Sequence, residues 1–295
     1  MDDDKIKINK KRSTYYGPLT ISQTKILTSL ATYKFLTSSQ MVALGVMSHE
    51  KNINTQLRLM RGKSRPLVGC EHYGTIPKIG RLESVHYLTR KGKAFLVEAM
   101  DYEEDQVQLP IGTSSFFHQD YPHRKYTIDC QIAVNKWADK IGADILFFDR
   151  YFDKVGNNRR DKNMKAKTKI MIYNNKYIIA DGIFMALIPD KPNELYCFEM
   201  YNGKDTKRTL GQLKKHIEVL ELGTLSEQYG LDYAHQVLCV FEHESHMNAV
   251  IQRTNMEAVF TNVRELFLCK TLEQVQAYDF DLAWTNLQGD QVAMY

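Results

Sequence analysis

Apolar residues recur at helical spacing three times near the start of the chain. Ile26, Leu27, Leu30 and Ala31 share one side of a helix predicted from Ile21 to about Thr32. Thr37 or Ser38 is placed to cap a second helix, which runs to Leu44 before Gly45 breaks it. Ser48 is placed to cap a third, about Glu50 to Met60, with Ile53, Leu57 and Met60 facing inward. The outward positions of that helix are Lys51, Asn52, Asn54, Thr55, Arg58 and Arg61. The period then shortens to two. Leu67–Tyr73 and Ser84–Leu88 read as strands, joined by a Gly- and Pro-punctuated segment that carries Lys78 and Arg81, which predicts a hairpin. A helix from Thr89 to about Met100 closes the unit. That order predicts a winged helix-turn-helix over residues 20–100, with the third helix and the hairpin as its DNA-contacting parts.

Residues 101–122 are acidic and then irregular, which predicts a linker. After it the pattern predicts a helix near Tyr126–Ile141 and strands at Ile145–Asp153, Lys169–Tyr173, Tyr177–Leu187 and Leu195–Asn202. A helix from about Thr206 to Leu222, a strand at Gln236–Glu242, a helix near His246–Met256 and a short apolar segment at Leu266–Leu268 follow. Asn174-Asn175 predicts a tight hairpin turn. The fold class is therefore α/β (α+β), one sheet with helices on it, over residues 123–275. Residues 1–19 read as a flexible basic arm and 276–295, without periodicity, as a C-terminal tail.

Charge sharpens this division. Residues 1–100 hold 17 lysines and arginines against 7 acids, a balance of +10, whereas the remainder hold 22 against 28, a balance of −6. A basic first domain points to nucleic acid. Between 154 and 169, Lys154, Arg159, Arg160, Lys162, Lys165, Lys167 and Lys169 face a single acid, Asp161, which suits a clamp on a phosphate backbone. The five cysteines are scattered and lack metal-ligand spacing, so zinc is not expected and reduced thiols are. No apolar leader and no run long enough to span a bilayer is visible, so the expected setting is cytoplasmic, with no membrane partner.

Two carboxylates interrupt otherwise apolar strands: Asp181 after Tyr177-Ile178-Ile179-Ala180, and Glu199 within Leu195-Tyr196-Cys197-Phe198-Glu199-Met200-Tyr201. A buried carboxylate is costly unless it is paired, hydrogen-bonded or bound to metal. A short connection through Pro189–Pro192 can set Asp181 beside Glu199, where the two would hold Mg²⁺ or Mn²⁺. The following helix packs through Leu210, Leu213, Ile217 and Leu220 and shows Gln212 and His216 on a neighbouring face. Lys204 and Lys207, near its start, are candidates to stabilise charge on a phosphate. His243 and His246 follow a predicted strand at a spacing unlike that of a zinc-protease helix and read as loop residues.

Asp181, Glu199-x-Tyr201 and Gln212-x-x-x-His216 resemble the motifs of the PD-(D/E)XK nuclease superfamily. With Gln56-Leu57-Arg58-Leu59-Met60 and Val85-His86-Tyr87-Leu88-Thr89-Arg90-Lys91-Gly92 in the first half, the chain is similar to the replication-relaxation family. That family includes MOBC-type relaxases of mobilisable plasmids. The resemblance covers residues 20 to about 270. It implies a restriction-endonuclease-like α-β-β-β-α-β domain and metal-dependent nicking of double-stranded DNA at a plasmid origin of transfer. It also implies partners among other mobilisation proteins, such as a coupling protein. It draws attention to His123 as a phosphate contact or activator of water and to Asp129 as an accessory metal ligand. The family's acid-x-lysine would put lysine at position 201, where this chain has Tyr201. That departure keeps a second expectation open: a non-enzymatic plasmid replication initiator or transcriptional regulator with a degenerate nuclease domain. Double-strand cutting, as by a restriction-type nuclease, is a third.

Overall fold

The computed structural model describes residues 18–62, 64–77, 80–110, 120–156, 164–173, 175–277 and 279–294. Residues 1–17 of the expected arm, Lys78, and Arg159 and Arg160 lie outside the described residues. The chain divides into two compact units, Met1–His118 and Gln119–Tyr295, and its architecture is mixed α/β.

In the first unit α1 (Ile21–Tyr33) starts on a capping box: the Thr20 hydroxyl accepts from the Gln23 N–H and the Gln23 side chain accepts from the Thr20 N–H, both at 3.2 Å. Thr37 and Gln40 repeat this at α2 (Ser38–Ala43). Helix α3 (Glu50–Arg61) begins after His49, which makes no side-chain cap, so Ser48 is not the cap. Ile53, Leu57 and Met60 are fully buried, as their spacing predicts. Strands β1 (Val68–Glu71) and β4 (Val85–Leu88) pair antiparallel, and a second short ladder joins β2 (Thr75–Ile76) to β3 (Gly80–Arg81). The expected hairpin is thus two ladders in series. Helix α4 (Arg90–Ala99), capped by the Thr89 hydroxyl, lies so close to the segment entering β1 that a Cβ at Gly92 would sit 2.2 Å from the Leu67 carbonyl oxygen.

The second unit opens with α5 (Tyr121–Ile141), five residues earlier than periodicity suggests. Pro122 sits in the first turn, where no N–H is needed, so the proline starts the helix instead of preceding it. Strand β5 (Asp144–Arg150) follows, then the short strands β6 (Lys154–Val155) and β7 (Lys165–Ala166). Next come β8 (Lys169–Tyr173), β9 (Lys176–Ile179), β10 (Gly182–Leu187) and β11 (Glu194–Tyr201). Helices α6 (Thr206–Leu222) and α7 (Thr224–Gln228), strand β12 (Gln236–Phe241), helix α8 (Glu244–Asn255) and strand β13 (Phe267–Thr271) complete the main layers. Helix α9 (Leu272–Ala277) and strands β14 (Trp284–Asn286) and β15 (Gln291–Val292) end the chain.

Among the described residues one sheet has the order β15-β14-β13-β12-β11-β10-β5. Strands β5, β10 and β11 form an antiparallel meander, and β12, reached through α6, is parallel to β11. The alternation of side chains splits β11 between two cores. Leu195, Cys197 and Tyr201 face Leu213 and Ile217 of α6; Tyr196, Phe198 and Met200 face Cys130, Val134 and Trp137 of α5. Burying Leu213 or Ile217 contributes about 1.5–3 kcal/mol each.

Two expectations are corrected. The stretch 177–187 is two strands, not one, and β8 and β9 form their own ribbon outside the main sheet. The break lies at Ala180-Asp181, where Ala180 bonds with Thr168 and the Asp181 carbonyl accepts from Tyr151. Residues 276–295 are not a tail: Trp284, Leu287 and Met294 are fully buried and β14 extends the sheet. Short turns hide this from periodicity, and Lys270 anchors it by donating to the carbonyls of Asp279, Phe280 and Leu282. Its cysteines are unpaired, and among the described residues no helix is long and apolar enough to cross a membrane.

Candidate functional site

The break before β10 positions Asp181. Gly182 pairs with Phe198, so Asp181 and Glu199 stand one step beyond that pair on neighbouring antiparallel strands. Asp181 Oδ2 accepts from the Met200 N–H at 2.8 Å, ending the ladder with a carboxylate where a carbonyl would otherwise lie. Its Oδ1 is 2.8 Å from His123 Nε2 in the first turn of α5, and His123 Nδ1 is 3.3 Å from Asn202 Oδ1. The early start of α5 is what brings His123 here.

Glu199 lies behind this contact, 1% exposed, with Oε1 2.6 Å from Nε2 of the equally buried His216 on α6. Burial first, then the charge of Asp181 and a hydrogen bond with it, push the Glu199 carboxyl well above the usual carboxylate range. Burial, and then the nearby His235, hold His216 down to about 3. The 2.6 Å contact is therefore a neutral carboxyl–imidazole hydrogen bond, although its geometry would also suit an ion pair. Asp181 thus takes the Met200 N–H on one oxygen and His123 Nε2 on the other, while Glu199 and His216 share one hydrogen bond behind it. Burial works against a charged His123, but the charge and hydrogen bond of Asp181, with Asp120 and Asn202 behind them, hold its pKa above the ordinary value.

Asp181 and His123 open onto a cleft of about 400 Å³. Tyr151 lines it as well; its hydroxyl donates to Asp120 Oδ2 at 2.7 Å and its ring meets His123 edge-on, centroids 5.3 Å apart. From α6 the lining receives Arg208, Thr209 and Gln212, and from α8 His246, whose Nε2 is 3.3 Å from Thr209 Oγ1. The carboxylate of Asp205 caps α6 by accepting from the Arg208 N–H at 3.0 Å, which fixes where that helix starts and which side chains face inward.

The expected residues are sorted by this geometry. Asp181, His123 and Gln212 line the cleft together; Glu199 and His216 are joined to it from the interior. Lys204 and Lys207 are exposed and outside the lining, and among the lining residues the lysine or arginine is Arg208. Asp129 is also outside: it points along α5 to Lys125 at 3.1 Å and to Gln276 at 3.4 Å, so it is not an accessory ligand beside Asp181. Tyr201, in the position where lysine is expected, is buried with its hydroxyl lacking a hydrogen-bond partner. Sequence reasoning missed Asp120 and Tyr151; it had Arg208 in the basic cluster at the start of α6 but looked to the lysines beside it, and it set His246 aside. His246 lies in the first turn of α8, which starts at Glu244, two residues before the predicted helix.

On the first unit, Lys51, Asn52, Asn54, Thr55 and Arg58 are exposed along one side of α3 and Arg81 is exposed on β3; Arg61 is half-buried. Asn54 Oδ1 accepts from the Ser38 hydroxyl at 2.8 Å, and Thr55 donates to the Lys51 carbonyl at 3.0 Å, so both are partly committed within the unit.

Among the described residues no group of three or more His, Cys, Asp or Glu side chains is arranged to hold a metal ion. Comparison with protein-family models, curated proteins and solved structures returned no match for this chain.

Proposed function

We propose that the chain binds double-stranded DNA through α3 and the adjoining hairpin and cuts one strand at the Asp181–Glu199 pair, as a relaxase does at a plasmid origin of transfer. In this reading the first unit is a winged helix-turn-helix and the second a PD-(D/E)XK-type domain. The observation that carries it is the meeting of the two acids on neighbouring strands, Asp181 in the lining of a cleft and Glu199 buried behind it. The helix, three-strand meander, helix and parallel strand of the second unit support the fold reading. The basic outer side of α3 supports the DNA reading.

The donor set suits a hard divalent cation, Mg²⁺ or Mn²⁺. Such ions take one or two carboxylates and keep several waters, and the cleft is polar enough to supply a hydrated site. Burial and the charge of Asp181 both weigh against a charged Glu199, and a bound cation would relieve that. Asp181 and Glu199 would hold it; when bound, it supplies Lewis-acid activation of the phosphate and of the attacking water. His123 and the Met200 N–H orient Asp181, and His216 orients Glu199. Arg208 is the side chain in the lining able to neutralise charge on the phosphate, the task a lysine at 201 would have. The occupation of position 201 by a buried tyrosine favours a second reading: a DNA-binding replication initiator or regulator that no longer cuts.

Manganese binding separates the two. Electron paramagnetic resonance of Mn²⁺ titrated with the full-length protein should show about one bound equivalent, lost in Asp181→Asn and in Glu199→Gln. Equal binding by the variants, or none by the parent protein, would overturn the cutting mechanism and leave the second reading.

A further inference from the structure

The ribbon of β8 and β9 has two faces of opposite character. Ile170, Ile172 and Ile178 are buried in the core that includes α6. The outward positions form cross-strand pairs: Lys169 opposite Ile179, Met171 opposite Tyr177 and Tyr173 opposite Lys176. Tyr173 is 54% exposed and Tyr177 43%, with Met171 and Ile179 similarly open. An exposed sheet face this rich in large apolar side chains marks a surface that something covers.

Charge says what kind of partner. Among the described residues from Lys154 to Ile179 there are five lysines and no acid. Lys169 Nζ lies 3.9 Å from the Tyr177 ring centroid and Lys176 Nζ 5.2 Å from that of Tyr173. Lys176 also reaches Glu218 and Lys167 reaches Asp149, whereas Lys169 forms no salt bridge with a carboxylate among the described residues. Aromatic rings interleaved with lysines are the surface that takes unpaired nucleic acid: the rings stack bases and the cations follow the phosphates. A duplex hides its base faces and would use the cations alone. Ile179 is shared between the ribbon and the cleft lining, so the face leads to Asp181.

We infer that the outward face of β8–β9 is a platform for an unpaired DNA strand, on which Tyr177 and Tyr173 stack bases and Lys169 contacts phosphate, delivering that strand over Ile179 to the cleft. This deepens the proposed function and rests on its nucleic-acid reading. It names the form of the substrate at the second unit: a locally melted strand.

The test is fluorescence anisotropy of the full-length protein with a labelled oligothymidylate and, separately, a labelled hairpin duplex. Tyr173→Ala/Tyr177→Ala should weaken oligothymidylate binding by about tenfold or more, given about 1–3 kcal/mol per stacked base. Tyr173→Phe/Tyr177→Phe, which keeps both rings, should stay within about twofold of the parent. Duplex affinity should be the same for all three proteins. Unchanged oligothymidylate affinity in the alanine pair, or an equal loss on duplex, would overturn the platform. So would sedimentation showing a parent dimer that the alanine pair dissociates, since a second copy of the chain would then be the occupant. A protein that binds Mn²⁺ and duplex but shows no tyrosine-dependent strand binding refutes the platform alone; one that binds neither form of DNA refutes the reading beneath it.

Discussion

His86, His216 and His235 are buried and held far below the usual histidine pKa, to about 3, about 3 and about 4, with burial the first cause in each. For His86 the charges of Arg61 and His72 add to it, and neither ring nitrogen has a hydrogen-bond partner. Its unfolded pKa is near 6.5 and its folded one about 3, so below 6.5 the unfolded chain binds the extra proton. Stability is therefore complete above pH 6.5 and lost as pH falls toward 3. Glu199, raised by burial and Asp181, has the opposite sign: its neutral form is favoured on folding, so it costs stability as pH rises above the unfolded carboxyl range. His86 is the cleaner probe. His86→Phe should flatten the decline in melting temperature between pH 7 and pH 5, removing on the order of 1–2 kcal/mol of pH-dependent destabilisation. Parallel melting curves for parent and variant would contradict the assignment. At this scale Asp181 and Glu199 were legible because a carboxylate in an apolar strand demands a reason. Arg208 was not, because the choice among Lys204, Lys207 and Arg208 depends on the exact start of α6. Asp205 sets that start through a single cap.

Elements were legible where caps and periodicity agree. Thr20 with Gln23, Thr37 with Gln40, and Thr89 each mark a helix start that the chain obeys. The start of α5 was not legible, since Pro122 reads equally as the end of a linker. The break between β9 and β10 was hidden inside one apolar run: the exposed Tyr177 and Ile179 of β9 are as apolar as the buried residues of β10, so hydrophobicity carries no mark of a change of sheet. Yet that break turns Asp181 to meet Met200 and His123. Gly92 shows how tightly elements can constrain one another. Its backbone region is ordinary, but a Cβ there would meet Leu67 oxygen at 2.2 Å and Leu88 Cδ2 at 3.1 Å. Gly92→Ala should push α4 away from the β1 segment and cost about 1–3 kcal/mol, read as a lowered urea midpoint. A midpoint equal to the parent's would mean α4 does not pack so closely there.

At the scale of the whole molecule, the charge division is milder between the two units than on either side of residue 100: Met1–His118 holds 17 lysines and arginines against 11 acids, a balance of +6, and Gln119–Tyr295 holds 22 against 24, a balance of −2. The layered α/β class of the second unit was legible from the order of its periods. The integration of its last strands was not, because Trp284–Asn286 and Gln291–Val292 are too short to show a period. In the proposed function the basic first unit holds duplex, the β8–β9 ribbon holds a melted strand, and the paired acids cut it. The division of labour makes binding and cutting separable by mutation. The most direct measurement incubates the protein with supercoiled plasmid carrying its cognate site, in Mn²⁺, and follows the open-circular form. The parent protein should nick the plasmid; Asp181→Asn and Glu199→Gln should bind it equally well and leave it supercoiled. Nicking undiminished in both variants would contradict the account.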